Sequence, residues 1–574
     1  MKSHHHCNEP GLAGSTSFFA ATRWVGLTTA LLLGGQAQAQ APAWQMATEL
    51  GGNLSTVTAL AATASGDVYV AGNYYGGMTL GSIGLPSAPV SIFVAKWNAT
   101  NGFIWAQSVT VSQNTGGNNI NAVAIAVNGA SVYVAGTCGG RTASFGSIGT
   151  TNAGGPSNDT PNAYVAKLTD AGASSTFAWV QRVGGSLSDG FTALAVQGAD
   201  VFVAGNFNSP AAVLGSVTLT GTGGPGMVAK ITDLGSSSSF GWALKVGTTA
   251  KAVAVVGTSV YVAGQLSGVS SAFGNPVISA GGNDALIAKL TDAGTSASYV
   301  WAQRAGGTGN DAATALAVNA AQIYVAGFFS NATADFGSTT LASAGGADAF
   351  VAKLTDAGPN ASFAWAQQAG GSAAESVSAL ALQGPTLFVT GDFTSPTANF
   401  GSTALTSAGQ ADVFVAALAD AGATSRFAWA QRAGGAGAET SAALAIGSNS
   451  LYVGGGAGPL ASFGSTTFSN ASQHGFLAVL PAASGLAAGR ESSLSKSDLF
   501  PNPAHGRATI QLPAIPGATS ATLTILDVLG RAIRSQTAPT NAQTDLDLID
   551  LAPGLYAVRV QASGSSATRR LVVE

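Results

Sequence analysis

Short runs of alternating apolar residues repeat along most of this chain, and each is closed by glycine or by a polar turn. The run Val-Tyr-Val-Ala-Gly and its variants occur seven times, first at 68–72 and last at 451–455. β-Branched and aromatic residues in runs of this length, bounded by glycine, are typical of β-strands. The hydrophobic pattern therefore predicts an all-β structure built from many short strands.

Each copy of this run belongs to a longer unit of four predicted strands. An alanine- and leucine-rich run precedes it, as at 193–196, and a run such as Phe-Val-Ala-Lys-Leu at 350–354 follows it. A tryptophan-containing run, as at 363–367, completes the unit. Tryptophans mark this last run at intervals of roughly 60–75 residues: Trp44, Trp105, Trp179, Trp242, Trp301, Trp365 and Trp429. Four strands repeated seven times predict a seven-bladed β-propeller.

The order of the runs predicts how the ring closes. The first tryptophan run, at 43–45, precedes every other strand, whereas the last unit stops near Leu480 without one. The N-terminal strand should therefore complete the last sheet and cover two sheet edges that would otherwise be open.

Two finer features are expected within each unit. Period-two alternation predicts that Phe363, Trp365 and Gln367 share one face of the tryptophan strand. A recurring Phe-Gly-Ser between the second and third strands, as at 336–338, predicts an added turn or hairpin at one rim.

Composition narrows the class of protein. Charged residues make up 8% of the chain and hydrophobic residues 46%, so the surface must be covered by small polar residues, and the chain is not of the disordered type. A net charge of −4 provides no electrostatic footprint for nucleic acid.

The N-terminus has the pattern of an export signal. Arg23 precedes an apolar stretch at 25–33, and Ala-Gln-Ala at 37–39 is a small-x-small cleavage site. Residues 1–39 are therefore predicted to be a signal peptide, and no transmembrane segment is expected in the mature chain. Its removal leaves one cysteine, Cys138, expected to act as a small apolar filler.

The repeats resemble the bacterial seven-bladed β-propeller repeat family over roughly residues 43–480, and the copy at 64–72 is the most similar. The resemblance implies a scaffold without a single activity. We expect the propeller to span residues 40–483, followed by a linker at 484–497 rich in Ala, Ser and Gly.

A different strand pattern begins at residue 498. Alternating runs at 508–512, 521–526, 555–560 and 570–573, separated by turn sequences, predict a small Ig-like β-sandwich over 498–574. The landmarks at 499–503, 527–531, 551–556 and 569–573 closely resemble the type A sorting domain of the type IX secretion system of Bacteroidetes-type bacteria. Its motif positions here are Pro501, Asn502, Pro503, Gly530, Gly554 and Tyr556.

This second resemblance implies a route and a partner. The signal peptide would take the chain across the inner membrane, and the type IX secretion machinery would take it across the outer membrane. The implied destination is the outer-membrane surface or the medium, and the sorting domain of such proteins is commonly cleaved.

Three acidic series recur with the repeat. The Thr-Asp-Ala-Gly turns and their variants carry Asp170, Asp233, Asp292, Asp356 and Asp420, which are expected to cap amides of their own hairpins. Two further series are candidate ligand-face loops: Asp189, Asp311, Glu375 and Glu439, and Asp284, Asp348 and Asp412. Oxygen ligands suit Ca²⁺, but one carboxylate per blade is spread too widely to chelate one ion, so structural capping is favoured.

The repeated basic residues are expected to face opposite charges on neighbouring strands or to lie on solvated rims. They are Lys96, Lys167, Lys230, Lys289, Lys353, Arg182, Arg304 and Arg432.

The chain offers little for catalysis. After the leader its histidines are His474 and His505, and no His/Cys/Asp cluster has metal-ligand spacing. No catalytic residue, metal or cofactor is therefore predicted.

These observations favour a non-enzymatic, monomeric surface or secreted propeller that binds a glycan or a protein. Two alternatives stay open. One is an extracellular hydrolase or lyase that uses the polar residues that break the symmetry, Arg141, Lys251, Arg426 and His474. The other is a purely structural envelope protein.

Overall fold

The structure is a computed structural model. It describes residues 41–112, 120–155, 157–221, 225–270, 272–330, 332–469, 472–482, 497–514, 518–527, 531–562 and 565–574. All regular secondary-structure elements within these residues are β-strands, which confirms the all-β prediction. No described helix is long and apolar enough to cross a membrane. The predicted signal peptide and nearly all of the predicted linker lie outside the described residues.

Seven antiparallel sheets, each with four main strands, follow one another along the described chain. The strands up to the third sheet are β1 (Met46–Glu49), β2 (Asn53–Ala62), β3 (Val68–Leu80), β4 (Ile83–Asn98), β5 (Gly102–Val111), β6 (Ile120–Asn128), β7 (Ser131–Cys138), β8 (Thr142–Phe145), β9 (Ile148–Thr151), β10 (Asn162–Asp170), β11 (Ser175–Val183), β12 (Asp189–Gln197), β13 (Asp200–Phe207), β14 (Ala211–Leu214), β15 (Val217–Thr220), β16 (Gly226–Asp233) and β17 (Ser238–Val246). The fourth and fifth sheets contain β18 (Thr249–Val256), β19 (Ser259–Ser270), β20 (Val277–Asp292), β21 (Ala297–Ala305), β22 (Ala312–Asn319), β23 (Gln322–Phe329), β24 (Thr333–Phe336), β25 (Thr339–Ala342), β26 (Asp348–Asp356) and β27 (Ala361–Gly371). The remaining strands of this series are β28 (Glu375–Gln383), β29 (Thr386–Phe393), β30 (Thr397–Phe400), β31 (Thr403–Thr406), β32 (Asp412–Asp420), β33 (Ser425–Ala433), β34 (Thr440–Ile446), β35 (Ser450–Ala457), β36 (Ser462–Phe463), β37 (Thr466–Thr467) and β38 (His474–Pro481).

Sheets 1 to 7 have the main-strand orders β2-β3-β4-β5, β6-β7-β10-β11, β12-β13-β16-β17, β18-β19-β20-β21, β22-β23-β26-β27, β28-β29-β32-β33 and β34-β35-β38-β1. The N-terminal strand thus completes sheet 7, as the order of the runs predicted. In this pairing Met46 lies opposite Val479 and Glu49 lies opposite Phe476.

The first strands of neighbouring sheets contact one another in a closed series that runs β2, β6, β12, β18, β22, β28, β34 and back to β2. Between the sheets lie apolar clusters, one of which joins Val57 and Val70 of sheet 1 to Tyr452 and Leu477 of sheet 7. Each sheet buries its faces against its neighbours, which gives a propeller-like arrangement.

An added hairpin lies between the second and third strands of five sheets: β8–β9, β14–β15, β24–β25, β30–β31 and β36–β37. In each added hairpin, the phenylalanine or leucine of the Phe-Gly-Ser motif is the last residue of the first strand, and the glycine and serine lie in the turn. The ring of Phe336, for example, packs against Phe350 and Phe363. The hairpin also reaches the preceding sheet, since β30 pairs with the end of the outer strand β27. In sheets 1 and 4 the corresponding residues extend the second and third strands themselves.

The predicted common face of the tryptophan strand is wrong for Phe363, whereas Trp365 and Gln367 both donate hydrogen bonds to the next sheet. A β-bulge lies opposite Lys353 and Leu354, where Lys353 pairs with Trp365 and Leu354 pairs with Phe363. The extra residue, Ala364, breaks the period-two alternation and turns Phe363 and Trp365 to opposite faces. Phe363 therefore packs on the hairpin, whereas Trp365 packs near Tyr324 and donates through Nε1 to Asp420 of the next sheet at 3.1 Å.

The C-terminal module contains two antiparallel sheets with the orders β39-β40-β43 and β42-β41-β44-β45. Their strands are β39 (Asp498–Phe500), β40 (Arg507–Gln511), β41 (Ser520–Leu526), β42 (Ala532–Pro539), β43 (Gln543–Asp547), β44 (Gly554–Ala562) and β45 (Ser565–Val573). Both sheets contribute to one apolar core, Ile510 and Leu546 from the first and Leu523, Val558 and Leu571 from the second.

Candidate functional site

A buried aspartate joins sheet 5 to sheet 4. Asp356, the last residue of β26, accepts hydrogen bonds through Oδ2 from the Tyr261 hydroxyl at 2.7 Å and Lys289 Nζ at 2.6 Å. Its Oδ1 accepts from Trp301 Nε1 at 3.2 Å and from the amide of Gly358 at 2.9 Å. The bond from Gly358 is the expected cap of its own hairpin, while the three bonds from sheet 4 were not foreseen.

The same cluster occurs between five pairs of sheets. Its aspartates are Asp170, Asp233, Asp292, Asp356 and Asp420, which accept from Lys96, Lys167, Lys230, Lys289 and Lys353 of the preceding sheet at 2.6–2.8 Å. Side chains of both partners are at most 11% exposed. In the cluster of Lys230, Phe202 replaces the tyrosine, so its hydroxyl bond is missing. These lysines are therefore interior groups with opposed charges on a neighbouring sheet.

Hydrogen bonding decides the ionisation of the five aspartates. Burial by itself would raise the pKa of each carboxyl, but hydrogen bonds from lysine, tryptophan and glycine, and in four clusters tyrosine, outweigh it and lower the pKa. Burial and the bond to aspartate raise the pKa of Tyr133 and Tyr261 to about 12. Each cluster thus holds an ionised carboxylate at neutral pH.

Among the residues that the structure describes, the two interfaces that flank sheet 7 have no such cluster. In sheet 6, Ala417 stands at the lysine position and Phe388 at the tyrosine position. In sheet 7, Val479 stands at the lysine position, and the turn of sheet 1 at 98–102 has no carboxylate. Sheet 7 supplies no Thr-Asp-Ala-Gly turn because its last strand is β1 rather than the continuation of β38. Both charges are absent together at these two interfaces.

The structure buries the first series of predicted ligand-face residues. Asp189, Asp311, Glu375 and Glu439 are at most 1% exposed. Each carboxylate accepts the amide of the residue four positions earlier, at 2.6–2.7 Å. Its other oxygen accepts an amide that follows the second strand of the same sheet, at 3.0–3.2 Å. These side chains join loop segments at the end of the sheets, which is the capping arrangement favoured from the sequence.

The second series, Asp284, Asp348 and Asp412, is fully buried as well. Asp284 and Asp412 pair with Arg304 and Arg432 at 3.1 and 2.9 Å. Asp348 accepts instead from the neutral Gln368 at 3.1 Å, and burial raises its pKa. Among the described residues no group of three or more His, Cys, Asp or Glu side chains could hold a metal ion.

The first strands place one residue of each sheet at the axis of the closed series. Every first strand has a β-bulge at the same place, and the extra residues are Thr58, Val123, Thr192, Lys251, Thr314, Ser378 and Ala442. The hydroxyls of Thr58 and Thr192 donate to Ala122 O and Ala250 O of the next sheet, each at 2.7 Å. The bulge residues therefore face the neighbouring first strand. Lys251 is the one charged residue among them, and it is exposed.

A second ring of residues lies beside the bulges, directly after the glycine of each second strand: Asn73, Thr137, Asn206, Gln265, Phe328, Asp392 and Gly456. The amide oxygens of Asn73 and Asn206 accept the N–H groups of Ala122 and Ala250 at 3.1 Å. This position thus faces the first strand of the next sheet. We call the two rings of residues together the axial rim.

Asp392 is the axial-rim residue that the sequence analysis missed. It is half-buried, and burial raises the pKa of its carboxyl to about 6. Its hydrogen-bonding counterparts in other sheets are neutral amides. Alignment of the seven second strands would have revealed it as the one carboxylate at this position.

The groups considered for catalysis are separated in the fold. His474 is 7% exposed and its Nε2 lies 2.9 Å from Ser472 Oγ, whereas His505 is exposed in the C-terminal module. Cys138 is buried, and burial raises the pKa of its thiol to about 11. The thiol is therefore protonated at neutral pH, as suits a small apolar filler.

The sorting-motif residues bond within their own module. Asn502, between Pro501 and Pro503, donates through Nδ2 to Arg570 O at 2.7 Å and accepts the Val572 amide at 2.9 Å. These bonds hold the motif against β45.

At the start of β44, the Tyr556 hydroxyl donates to Ala552 O at 2.8 Å, across the turn that contains Gly554. Gly530 lies outside the described residues.

Comparison with known proteins gives one family match. Residues 498–574 match the family described as "Secretion system C-terminal sorting domain". A search of curated proteins finds no match. Among solved structures, "Drosophila Semaphorin 2a" is similar at 9% identity, covering 93% of this chain and 98% of that chain with a TM-score of 0.31. A TM-score of this size does not establish a shared fold. From the family match, residues 498–574 are a secretion system C-terminal sorting domain, and the protein is exported by type IX secretion to the cell surface or the extracellular space.

Proposed function

We propose that this exported protein is a non-enzymatic binding protein of the bacterial seven-bladed β-propeller repeat type. In this proposal residues 40–483 form a closed seven-bladed β-propeller, and residues 498–574 form an Ig-like sandwich that addresses it to the type IX secretion machinery. Support comes from the closed series of first strands and from β1, which completes sheet 7.

The use of charged groups supports binding rather than catalysis. In the five aspartate–lysine clusters both side chains are at most 11% exposed. The seven carboxylates of the other two series are buried and hydrogen-bonded within the protein. Groups held in this way stabilise the scaffold and are not presented to a substrate. This internal bonding of the repeated charges is the observation that carries the proposal.

The ligand best matched by the end of the sheets is polar and weakly charged. The axial rim contains eight hydroxyl or amide side chains, one lysine, one aspartate and the apolar residues Val123, Phe328, Ala442 and Gly456. Hydrogen-bonding groups of this kind suit a glycan, or a polar protein surface, better than an apolar small molecule.

A glycan array probed with residues 41–574, first with calcium and then with a chelator, tests the proposal. Saturable binding to a defined sugar is the expected result. Because the described acidic loops form no metal cluster, binding should persist after chelation. Binding to no glycan in either buffer would overturn the glycan form of the proposal and favour a protein ligand or a purely structural envelope role.

A further inference from the structure

Lys251 departs from the other residues of its ring. Hydroxyls at this position in sheets 1 and 3 are bonded to a carbonyl of the next sheet. Lys251 is longer, charged and exposed, and no ion pair of the described residues includes it. Its ammonium group is therefore available to a ligand at the axis of the closed series of first strands. The alternative is that Lys251 is a solvated surface residue.

Asp392 departs from its ring in a complementary way. At the same position Asn73 and Asn206 satisfy a backbone N–H of the next sheet. Within the described residues the Asp392 carboxylate forms no hydrogen bond or ion pair. The carboxyl is half-buried, so its charged form costs stability that a neutral amide would not cost. A group that costs stability without an internal partner is a candidate for a functional role.

The other axial-rim residues are uncharged: most have hydroxyl or amide side chains, and Val123, Phe328, Ala442 and Gly456 are apolar. Thr249, beside Lys251, and Gln265 are hydrogen-bonded to one another at 3.2 Å, and Ser376 pairs in register with Asp392. A ligand that spans the axial rim from sheet 4 to sheet 6 would meet one cation, one carboxylate acceptor and several hydroxyl or amide groups. A carbohydrate with a carboxylate supplies the matching groups, since its carboxylate pairs with an ammonium and its hydroxyls donate to a carboxylate.

We propose that the axial rim binds an acidic glycan that contains uronic acid, with Lys251 pairing with a sugar carboxylate and Asp392 accepting sugar hydroxyls of the same glycan chain. This inference rests on the proposed binding function and names its site and ligand class.

The test uses residues 41–574 and three variants. Lys251→Gln removes the cation, Asp392→Asn removes the acceptor charge, and Lys245→Gln removes an exposed lysine of the outer strand β17 as the matched control. The probes are an oligogalacturonate and its methyl ester, with binding measured by calorimetry and folding checked by thermal unfolding.

Oligogalacturonate should bind the unchanged protein and the Lys245→Gln control equally. Loss of the charged contact should weaken binding about 10-fold or more, both in Lys251→Gln and with the methyl ester. Asp392→Asn should also bind more weakly although its thermal stability is not reduced.

Two results would overturn the inference in distinguishable ways. If acidic and neutral glycans bind equally and neither axial variant changes the affinity, the site and ligand class are wrong while the binding function stands. If the array shows no glycan at all, the glycan form of the proposed function fails with it.

Discussion

The aspartate–lysine cluster between sheets 4 and 5 provides the sharpest test of what holds the sheets together. Replacing Asp356 by Asn removes one negative charge with little change of shape. It leaves the Lys289 ammonium, whose side chain is 11% exposed, without its partner at 2.6 Å. A buried charge left unpaired in this way costs about 3–5 kcal/mol.

The chain itself shows how that cost can be avoided. The interface between sheets 6 and 7 has Ala417 and Phe388 in place of the lysine and tyrosine. Sheet 7 has no Thr-Asp-Ala-Gly turn among the described residues. Replacing both charges by apolar groups is often nearly neutral. Adding Lys289→Met to Asp356→Asn should therefore recover about 2–3 kcal/mol, as a coupling energy in a double-mutant cycle.

Native-state hydrogen exchange of the amides in sheets 4 and 5 measures this loss as a local opening free energy. The control is Asp335→Asn, an exposed aspartate of β24 that accepts the Thr340 hydroxyl at 2.7 Å and should change stability by less than about 0.5 kcal/mol. If Asp356→Asn costs no more than this control, or if Lys289→Met adds to the loss instead of reversing it, the cluster is not what stabilises the interface.

Three further outcomes are expected. Deleting residues 41–49 removes β1 and exposes the edge of β38. Sheet 7 should then become susceptible to proteolysis, and copies of the protein should associate with one another through the exposed edge. An unchanged digestion pattern and an unchanged elution volume in gel filtration would contradict non-covalent ring closure. The five cluster aspartates have lowered pKa values. The stability that they give the fold is therefore complete above the unfolded-state pKa near 4 and is lost as the pH falls through the folded-state pKa values. The urea concentration at the unfolding midpoint should fall between pH 6 and pH 2.5, and a midpoint that does not change with pH would refute this. Asp392 has a pKa raised to about 6, so its carboxyl destabilises the fold increasingly between about pH 4 and pH 6. After allowance for partial exposure, Asp392→Asn should raise the free energy of unfolding, measured with urea, by about 1–2 kcal/mol at pH 8 and by nothing at pH 3.5. An equal increase at both pH values would mean that the charge of Asp392 does not affect stability.

The strands and their order were predictable because they depend on local pattern. Runs of β-branched and aromatic residues closed by glycine predicted the strands, and the early position of Trp44 predicted that β1 would complete sheet 7. The face of Phe363 could not be predicted in the same way. A single bulge at Ala364 reverses the alternation, and the apolar pattern on either side of the bulge does not change.

The acidic residues were predictable as a repeat but not in their partners. Spacing suggested that Asp356 caps its own turn, which its bond from Gly358 shows. The partners Tyr261 and Lys289 lie 95 and 67 residues earlier, on another sheet. Asp392 was missed because a lone carboxylate carries no motif, and its significance depends on what faces it.

The sequence by itself determined the strands, their grouping in fours, the N-terminal strand of the last sheet and the sorting module, because alternation, glycine turns and motif order are properties of neighbouring residues. Only the tertiary structure decided which charges are interior partners and which are left at the axis. Burial and pairing depend on contacts between sheets that are far apart along the chain. Desolvation and hydrogen bonding at those contacts separate the bonded Asp356 from Asp392, although both are aspartates of antiparallel strands.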